Sequence, residues 1–201
     1  MAGLWLLWAA GFLFGTTAAA APGDEPKQTP ENTISIHLAE AVKPQTFPRP
    51  ICFYLENVID RSGNPQPLLV YKSRGGIFLD REPTEIVRQV FEESLRAAGL
   101  LAPDKASADY LLSVYVFHFG QAPGSGLEFF AKVDLNVVVK DPKTGKSQQV
   151  TALGTSIRGR AVKKKNIQKN IKEDMEEALG DALRNFLRGT KLREAVSAPS
   201  V

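Results

Sequence analysis

The alternation of apolar and polar residues across Leu127–Lys140 restricts the fold of this chain more than any other feature. The apolar set occupies every second position and consists of Leu127, Phe129, Ala131, Val133, Leu135, Val137 and Val139. Because successive side chains of a strand point to opposite faces, this period of two predicts a strand with one buried face and one face towards water. The sequence DPKTGK follows, where Pro142 sets φ and Gly145 can adopt a left-handed conformation. Ser147–Val162 is then predicted to be the return strand of a hairpin.

Two segments carry apolar residues at three- and four-residue steps, which is the period of an amphipathic helix. The first is predicted over about Pro83–Ala98, with a proline in its first turn and Gly99 placed to end it. The second lies within Asn166–Gly189, and its apolar stripe consists of Ile167, Ile171, Met175, Leu179, Ala182, Leu183, Phe186 and Leu187. Gly180 inside this helix costs about 1 kcal/mol relative to alanine unless close packing requires a glycine.

Further strands are predicted at Ile34–Val42, at Ile51–Asp60 and, in one or two short pieces, at Leu68–Asp80. Ala108–Gly120 has apolar residues on both faces, which is typical of a central strand. This order of strands and helices predicts an α+β fold, a two-layer sandwich whose mainly antiparallel sheet carries both amphipathic helices on one face. The predicted organisation is a flexible leader at 22–33, a single domain at 34–192 and a frayed tail at 193–201.

The first 21 residues contain no charged side chain. An apolar run from Leu4 to Phe14 precedes a zone of small residues in which Ala19 and Ala21 fit the −3 and −1 positions of a cleavage site. Residues 1–21 are therefore predicted to be a signal peptide, which places the rest of the chain in the periplasm or elsewhere in the cell envelope. The alternative is an uncleaved N-terminal membrane anchor, since about 20 uncharged residues can span a bilayer.

Composition excludes some classes of protein. The chain of 201 residues is 43% hydrophobic and 23% charged, which are ordinary values for a globular domain. Its formal net charge of +3 is smaller than the excess usual for a nucleic-acid-binding protein, so no nucleic-acid partner is expected. Cys52 is the only cysteine, which excludes an intramolecular disulfide and a thiolate metal cage. Its apolar surroundings favour a role in the core over a reactive one.

A search for catalytic chemistry finds no recognisable arrangement. The two histidines, His37 and His118, both lie within predicted strands, where a histidine with satisfied hydrogen bonds is commoner than a catalytic base. The sequence contains no G-x-S-x-G elbow, no P-loop and no paired-histidine metal motif. The prediction is a protein without enzymatic activity and without a cofactor or metal, although a site assembled from scattered residues stays possible.

One concentration of charge stands out near the second helix, and we call it the basic cluster. Its members are Arg158, Arg160, Lys163, Lys164, Lys165 and Lys169, and Lys172 follows one turn later. A solvated loop is one interpretation. The functional alternative is contact with an anionic membrane surface or an acidic partner, where each basic group contributes about 1 kcal/mol. The cluster has no aromatic residue on which a nucleic-acid base could stack.

The layout resembles the YajG-type family of small bacterial envelope lipoproteins. The resemblance rests on the pattern and order of IVRQVFEESLRAAGLL, ADYLLSVYVFHF, FFAKVDLNVVVKDPKTGK and KKNIQKNIKEDMEEALGDALRNF, within about Pro83–Phe186. It implies the α+β fold and the envelope compartment, and it supplies no catalytic residue. Such lipoproteins end their signal peptide in a lipidated cysteine, which GTTAAAAPG lacks, and Cys52 lies too far inside the chain to replace it.

The leading functional hypothesis is a non-enzymatic accessory protein that is exported and binds another component of the cell envelope. The alternative is a carrier of a small ligand or lipid, with a cleft between the helices and the sheet lined by the apolar strand Tyr110–Phe119. The sequence does not identify the partner or the oligomeric state.

Overall fold

The fold was analysed in a computed structural model, which describes residues 27–47, 49–63, 69–71, 75–122, 128–156, 160–161 and 166–197. The predicted signal peptide at 1–21 lies outside these residues. In chain order the elements are a 3₁₀ turn (Pro30–Asn32), β1 (Thr33–Ile34), β2 (Phe53–Asp60), β3 (Leu69–Tyr71), β4 (Gly75–Leu79), α1 (Pro83–Ala97), β5 (Tyr110–Gln121), β6 (Glu128–Phe129), β7 (Ala131–Lys140), β8 (Ser147–Thr155), β9 (Arg160–Ala161), α2 (Ile167–Leu187) and α3 (Thr190–Ser197).

The largest sheet in the described part of the chain has the strand order β2-β5-β7-β8. β5, β7 and β8 are antiparallel neighbours, whereas β2 pairs with β5 in parallel, so the sheet is mixed but mainly antiparallel. The predicted hairpin is confirmed at its turn: Gly145 has a φ of 71°, and its N–H donates to the carbonyl oxygen of Asp141 at 2.9 Å. The predicted alternation is confirmed along β7, where every residue of the apolar set from Ala131 to Val139 is buried.

Both long helices cover the same face of this sheet, as predicted. Their apolar stripes join the inward residues of the strands in one core, and the rings of Phe91 on α1 and Phe186 on α2 lie 5.5 Å apart. α1 ends where the sequence indicates, because Gly99 takes a φ of 68° and its N–H donates to Arg96 O at 3.0 Å. The N–H of Leu100 donates to Leu95 O at 2.8 Å, which completes a Schellman motif and returns Leu100 to the core.

α2 approaches β8 very closely at Gly154. A β-carbon added to Gly154 would lie 2.0 Å from the carbonyl oxygen of Ala178 and 2.3 Å from the backbone nitrogen of Ala182. Those distances are far inside van der Waals contact, so only a residue without a side chain allows the two backbones to meet. From the sequence alone, Gly154 is expected to weaken its strand. The structure shows that its effect is on helix–sheet packing.

The N-terminal part of the domain differs from the prediction. The strand expected at Ile34–Val42 is reduced to β1, because its partner β4 pairs only with Thr33 and Ile34. Residues 27–33, predicted to belong to a flexible leader, are held instead by a 3₁₀ turn and by side-chain hydrogen bonds. Gln28 Nε2 donates to Leu79 O at 3.0 Å, and Gln168 on α2 donates to Glu31 O.

The C-terminal part also differs. Residues 193–197, predicted to be frayed, belong to α3, and residues 198–201 lie outside the described part of the chain. Leu192 and Val196 of α3 are buried in the core, four residues apart on one side of the helix. The hydroxyl of Tyr110 donates to Val196 O at 2.9 Å, which ties the helix to β5. Leu192 lies inside the predicted domain, whereas the small, polar composition of 193–201 concealed the docking of Val196.

Candidate functional site

The basic cluster spans the connection between β9 and α2. The structure places the backbone of Arg160 opposite Phe129 in the pairing of β9 with β6, and it places Lys169 on the exposed surface of α2. Arg158 and the three lysines at 163–165 lie outside the described residues, so their role stays a prediction.

The lysines on the helix face carboxylates one turn further along. Lys169 Nζ lies 3.8 Å from Glu173 Oε1, and Lys172 Nζ lies 3.7 Å from Glu176 Oε1. Such i,i+4 pairs contribute about 0.3–0.5 kcal/mol each at an exposed surface, and they neutralise most of the local charge. In the sequence, the other five basic residues of the stretch 158–172 all precede the start of α2 at Ile167.

A Ser–His–Asp contact that sequence reasoning missed joins three separate elements. Ser35 Oγ lies 2.7 Å from His37 Nε2 and donates to Asp80 Oδ2 at 2.6 Å. The backbone N–H of His37 donates to Glu176 on α2 at 3.1 Å. His37 is not in a strand, contrary to the prediction. The serine and the histidine are two positions apart in the sequence, but the carboxylate that Ser35 contacts belongs to Asp80, 45 positions further along the chain.

This arrangement is not a catalytic triad, because the serine and not the histidine is the central residue. A serine that gives its proton to Asp80 receives no general-base assistance from His37. The group is also exposed to water. Its evident effect is to fasten the segment after β1 to β4 and α2.

The other histidine and the cysteine have structural partners. His118 Nε2 lies 2.9 Å from the carbonyl oxygen of Gln121. The thiol of Cys52 donates to Ser107 O at 3.1 Å and lies 3.4 Å from Asp109 Oδ2. Desolvation raises the pKa of the Cys52 thiol; a backbone hydrogen bond at Asp109 opposes this rise, and the Asp109 carboxylate adds to it. Because the thiolate is the nucleophile, a raised pKa makes Cys52 less reactive at neutral pH.

The strand Tyr110–Phe119 faces the core on its helix side. Leu112, Val114 and Val116, on the strand that the carrier hypothesis assigns to a cleft, are all fully buried in the core. A surface groove of about 410 Å³ lies elsewhere, between the segment Glu40–Lys43 and the end of α1 at Ala97 and Ala98. The carrier hypothesis therefore gains no support from the packing of this strand.

Two searches within the described residues gave negative results. No group of three or more His, Cys, Asp or Glu residues in this part of the chain is arranged to hold a metal ion. None of the helices assigned there has both the length and the apolar character needed to cross a bilayer.

Comparison with known proteins relates the chain to others through its fold. No family model and no curated protein matches it. Among solved structures, the protein XCC0632 of Xanthomonas campestris, assigned to DUF330, has a TM-score of 0.53 at 13% identity, over 81% of this chain and 95% of that one. This similarity establishes a shared fold and nothing more.

Two weaker matches are a PelC dodecamer from Paraburkholderia phytofirmans and a protein from Caulobacter crescentus described as a lipoprotein candidate. The PelC match has a TM-score of 0.36 at 15% identity, over 71% of this chain and 94% of the other. The Caulobacter match has a TM-score of 0.38 at 14% identity, over 58% and 86%. Scores this low carry no inference about function. The narrower resemblance to the YajG-type family stays a prediction.

Proposed function

We propose that the protein is a non-enzymatic accessory protein of the cell envelope that binds another envelope component through the basic cluster. The observation that carries this proposal is the one-sided charge of residues 158–172, which include seven basic residues and no acidic one. An anionic membrane surface or an acidic protein surface is the chemically matching partner.

The described structure supports this choice of surface. Lys169 and Lys172 face glutamates, whereas the other five basic residues of 158–172 precede Ile167 in the sequence, where no acidic residue lies among them. β9 ends at Ala161 and α2 begins at Ile167, so Lys163–Lys165 connect two elements of the fold. Charges in a connection between elements can contact a partner without disturbing the core.

For the export step we expect the mature protein to begin near Pro22 and to be found outside the cytoplasm. The small residues before Pro22 fit the cleavage zone of a signal peptide. N-terminal sequencing of the protein recovered from each cell fraction identifies both its first residue and its compartment. An intact Met1 in the membrane fraction would instead support the permanent anchor, and an intact Met1 in the cytosol would contradict export.

For the binding step we expect the triple variant Lys163→Gln, Lys164→Gln, Lys165→Gln to lose affinity for anionic vesicles by about 100-fold, if each charge contributes about 1 kcal/mol. Flotation with phosphatidylglycerol-containing liposomes at low salt measures the loss. Rising salt should weaken wild-type binding, since the Debye length falls to about 8 Å at physiological ionic strength. Thermal stability should not change.

The matched control removes the same number of charges elsewhere. Lys140, Lys143 and Lys146 are exposed at the turn of the β7–β8 hairpin, so their triple glutamine variant tests whether any three exposed lysines support flotation, and it should lose much less affinity than the 163–165 variant. Equal flotation of the 163–165 variant and wild type, or no flotation of either, would exclude the lipid version. If the 163–165 variant also recovers the same partner protein from envelope extracts as wild type does, the basic cluster has no binding role and is only a solvated loop.

A further inference from the structure

The outer edge of β8 is a second surface with unused binding capacity. The N–H of Asp141 donates to Lys146 O at 2.9 Å, and the N–H of Ser156 donates to Ala131 O at 3.0 Å. In an antiparallel ladder these two bonds fix which residues of β8 face β7, namely alternate residues from Gln148 to Gly154. The intervening residues direct their backbone N–H and C=O groups away from the sheet, and they are Ser147, Gln149, Thr151, Leu153 and Thr155.

Side chains of α2 cover only one half of this edge. Asn185 Nδ2 donates to Leu153 O at 2.6 Å, and the N–H of Thr155 donates to Asp181 Oδ2 at 3.4 Å. In the other half, no described residue bonds to the outward backbone groups of Ser147, Gln149 and Thr151, and all three residues are exposed. We call Ser147–Thr151 the open edge.

The open edge lacks the features that usually prevent strand addition. Its sequence, SQQVT, contains no proline and no charge, and its register with β7 is continuous. At the opposite edge of the sheet, the start of β2 is covered: the N–H of Phe53 donates to Leu100 O at 2.8 Å, and the N–H of Ala102 donates to Phe53 O at 2.8 Å. β2 also has an irregular register between Leu55 and Asn57, whereas β8 offers a regular edge for an added strand.

The charges beside the open edge identify the complementary partner. Lys140, Lys143 and Lys146 are exposed around the hairpin turn, and no described residue forms an ion pair with any of them. The nearby carboxylate of Asp141 is occupied by the turn, since it accepts the N–H of Lys143 at 2.8 Å and the hydroxyl of Thr144 at 2.9 Å. Asp141 keeps its negative charge, but the three lysines outnumber it, so the end of the open edge nearest the turn is positive on balance.

We propose that the open edge binds an extended acidic segment of a partner polypeptide as an additional antiparallel strand. Backbone hydrogen bonds to Ser147, Gln149 and Thr151 provide the affinity, as in other cases of strand addition. Because the added strand runs antiparallel to β8, its carboxyl-terminal end lies beside Ser147, where β8 begins. Lys143 and Lys146 are close to that end, so the acidic residues of the partner belong at its carboxyl terminus. This surface is separate from the basic cluster, and either can fail without the other.

Two synthetic heptapeptides of identical composition, VTVTVEE and EEVTVTV, test the orientation. Binding to the ¹⁵N-labelled protein is followed by amide shifts and by hydrogen exchange. We expect VTVTVEE to bind about tenfold more tightly, which corresponds to two exposed ion pairs of about 0.7 kcal/mol each. The amides of Gln149 and Thr151 should exchange at least several-fold more slowly in the complex.

Two variants test the contacts. Gln149→Pro removes an outward N–H and leaves the ladder with β7 intact, so it should abolish peptide binding with little change in melting temperature. The double variant Lys143→Gln, Lys146→Gln should remove the preference for VTVTVEE, and it decides the question even if the proline variant folds poorly. The Lys163–Lys165 glutamine variant should bind the peptide like wild type.

Three results would overturn the proposal. The first is that millimolar peptide does not slow hydrogen exchange at the amides of Gln149 and Thr151. The second is equal affinity for the two peptides. The third is a concentration-dependent dimer of the protein in which these amides are already protected without peptide. The last result would identify a second copy of the chain as the occupant of the open edge.

Discussion

Replacing Gly154 with alanine is expected to destabilise the domain by about 3 kcal/mol, the upper end of the usual cost of overpacking. The new β-carbon would lie 2.0 Å from Ala178 O and 2.3 Å from Ala182 N, and both atoms belong to the backbone of α2. A backbone inside a helix cannot rotate away as a side chain can, so the helix must move off the sheet. Thermal unfolding followed by circular dichroism should show a melting temperature lower by roughly 6–12 °C.

Gly180 on the facing helix provides the matched control. A β-carbon there would lie 3.4 Å from Arg184 Nη1 and 3.6 Å from Leu38 Cδ2, which are the far ends of flexible side chains. Gly180→Ala should therefore leave stability unchanged or raise it by about 0.5–1 kcal/mol through higher helix propensity. A Gly154→Ala protein as stable as the Gly180→Ala protein would show that α2 does not approach β8 as described.

Replacing Leu183 with aspartate is expected to unfold the domain. Leu183 is fully buried in the core shared by α2 and the sheet. An aspartate there either loses its hydration without a partner or must take up a proton, and the cost of about 4 kcal/mol or more is a large part of the stability of a typical domain. Urea unfolding should give a greatly lowered midpoint or no folded baseline.

The control for this variant is Lys172→Asp, at a partly exposed position of the same helix. It removes the contact with Glu176 and adds a like charge, which should cost only about 0.5 kcal/mol. Comparable urea midpoints for the two variants would mean that the helix buries a different face.

Local patterns in the sequence predicted those elements whose own residues carry the signal. The period of two along β7 and the stripe of α2 gave the buried faces correctly, and Gly99 and Gly145 were recognised because a left-handed conformation favours glycine locally. The sequence could not show that β2 lies parallel to β5, since the pairing of distant strands depends on the path of α1 between them.

The candidate site was less predictable for the same reason. The basic cluster is contiguous in the sequence and was therefore found, but the ion pairs that neutralise its helical part depend on where α2 begins. The Ser35–His37–Asp80 contact and the open edge both arise from tertiary pairing. An edge strand and an internal strand can have the same alternation, so the pattern of β8 alone did not indicate that half of its outer side lacks a partner.

The mixed pairing of the sheet also bears on how the chain reaches its native state. β7 and β8 meet through a tight turn, and β5 precedes β7 closely, so this antiparallel half forms with little loss of loop entropy. Phe53 pairs with Tyr110 only after the whole of α1 has been brought across the sheet. Non-local pairing of this kind slows folding. The antiparallel half is thus expected to organise the folding transition state, and the rate should depend on how quickly β2 finds its place beside β5.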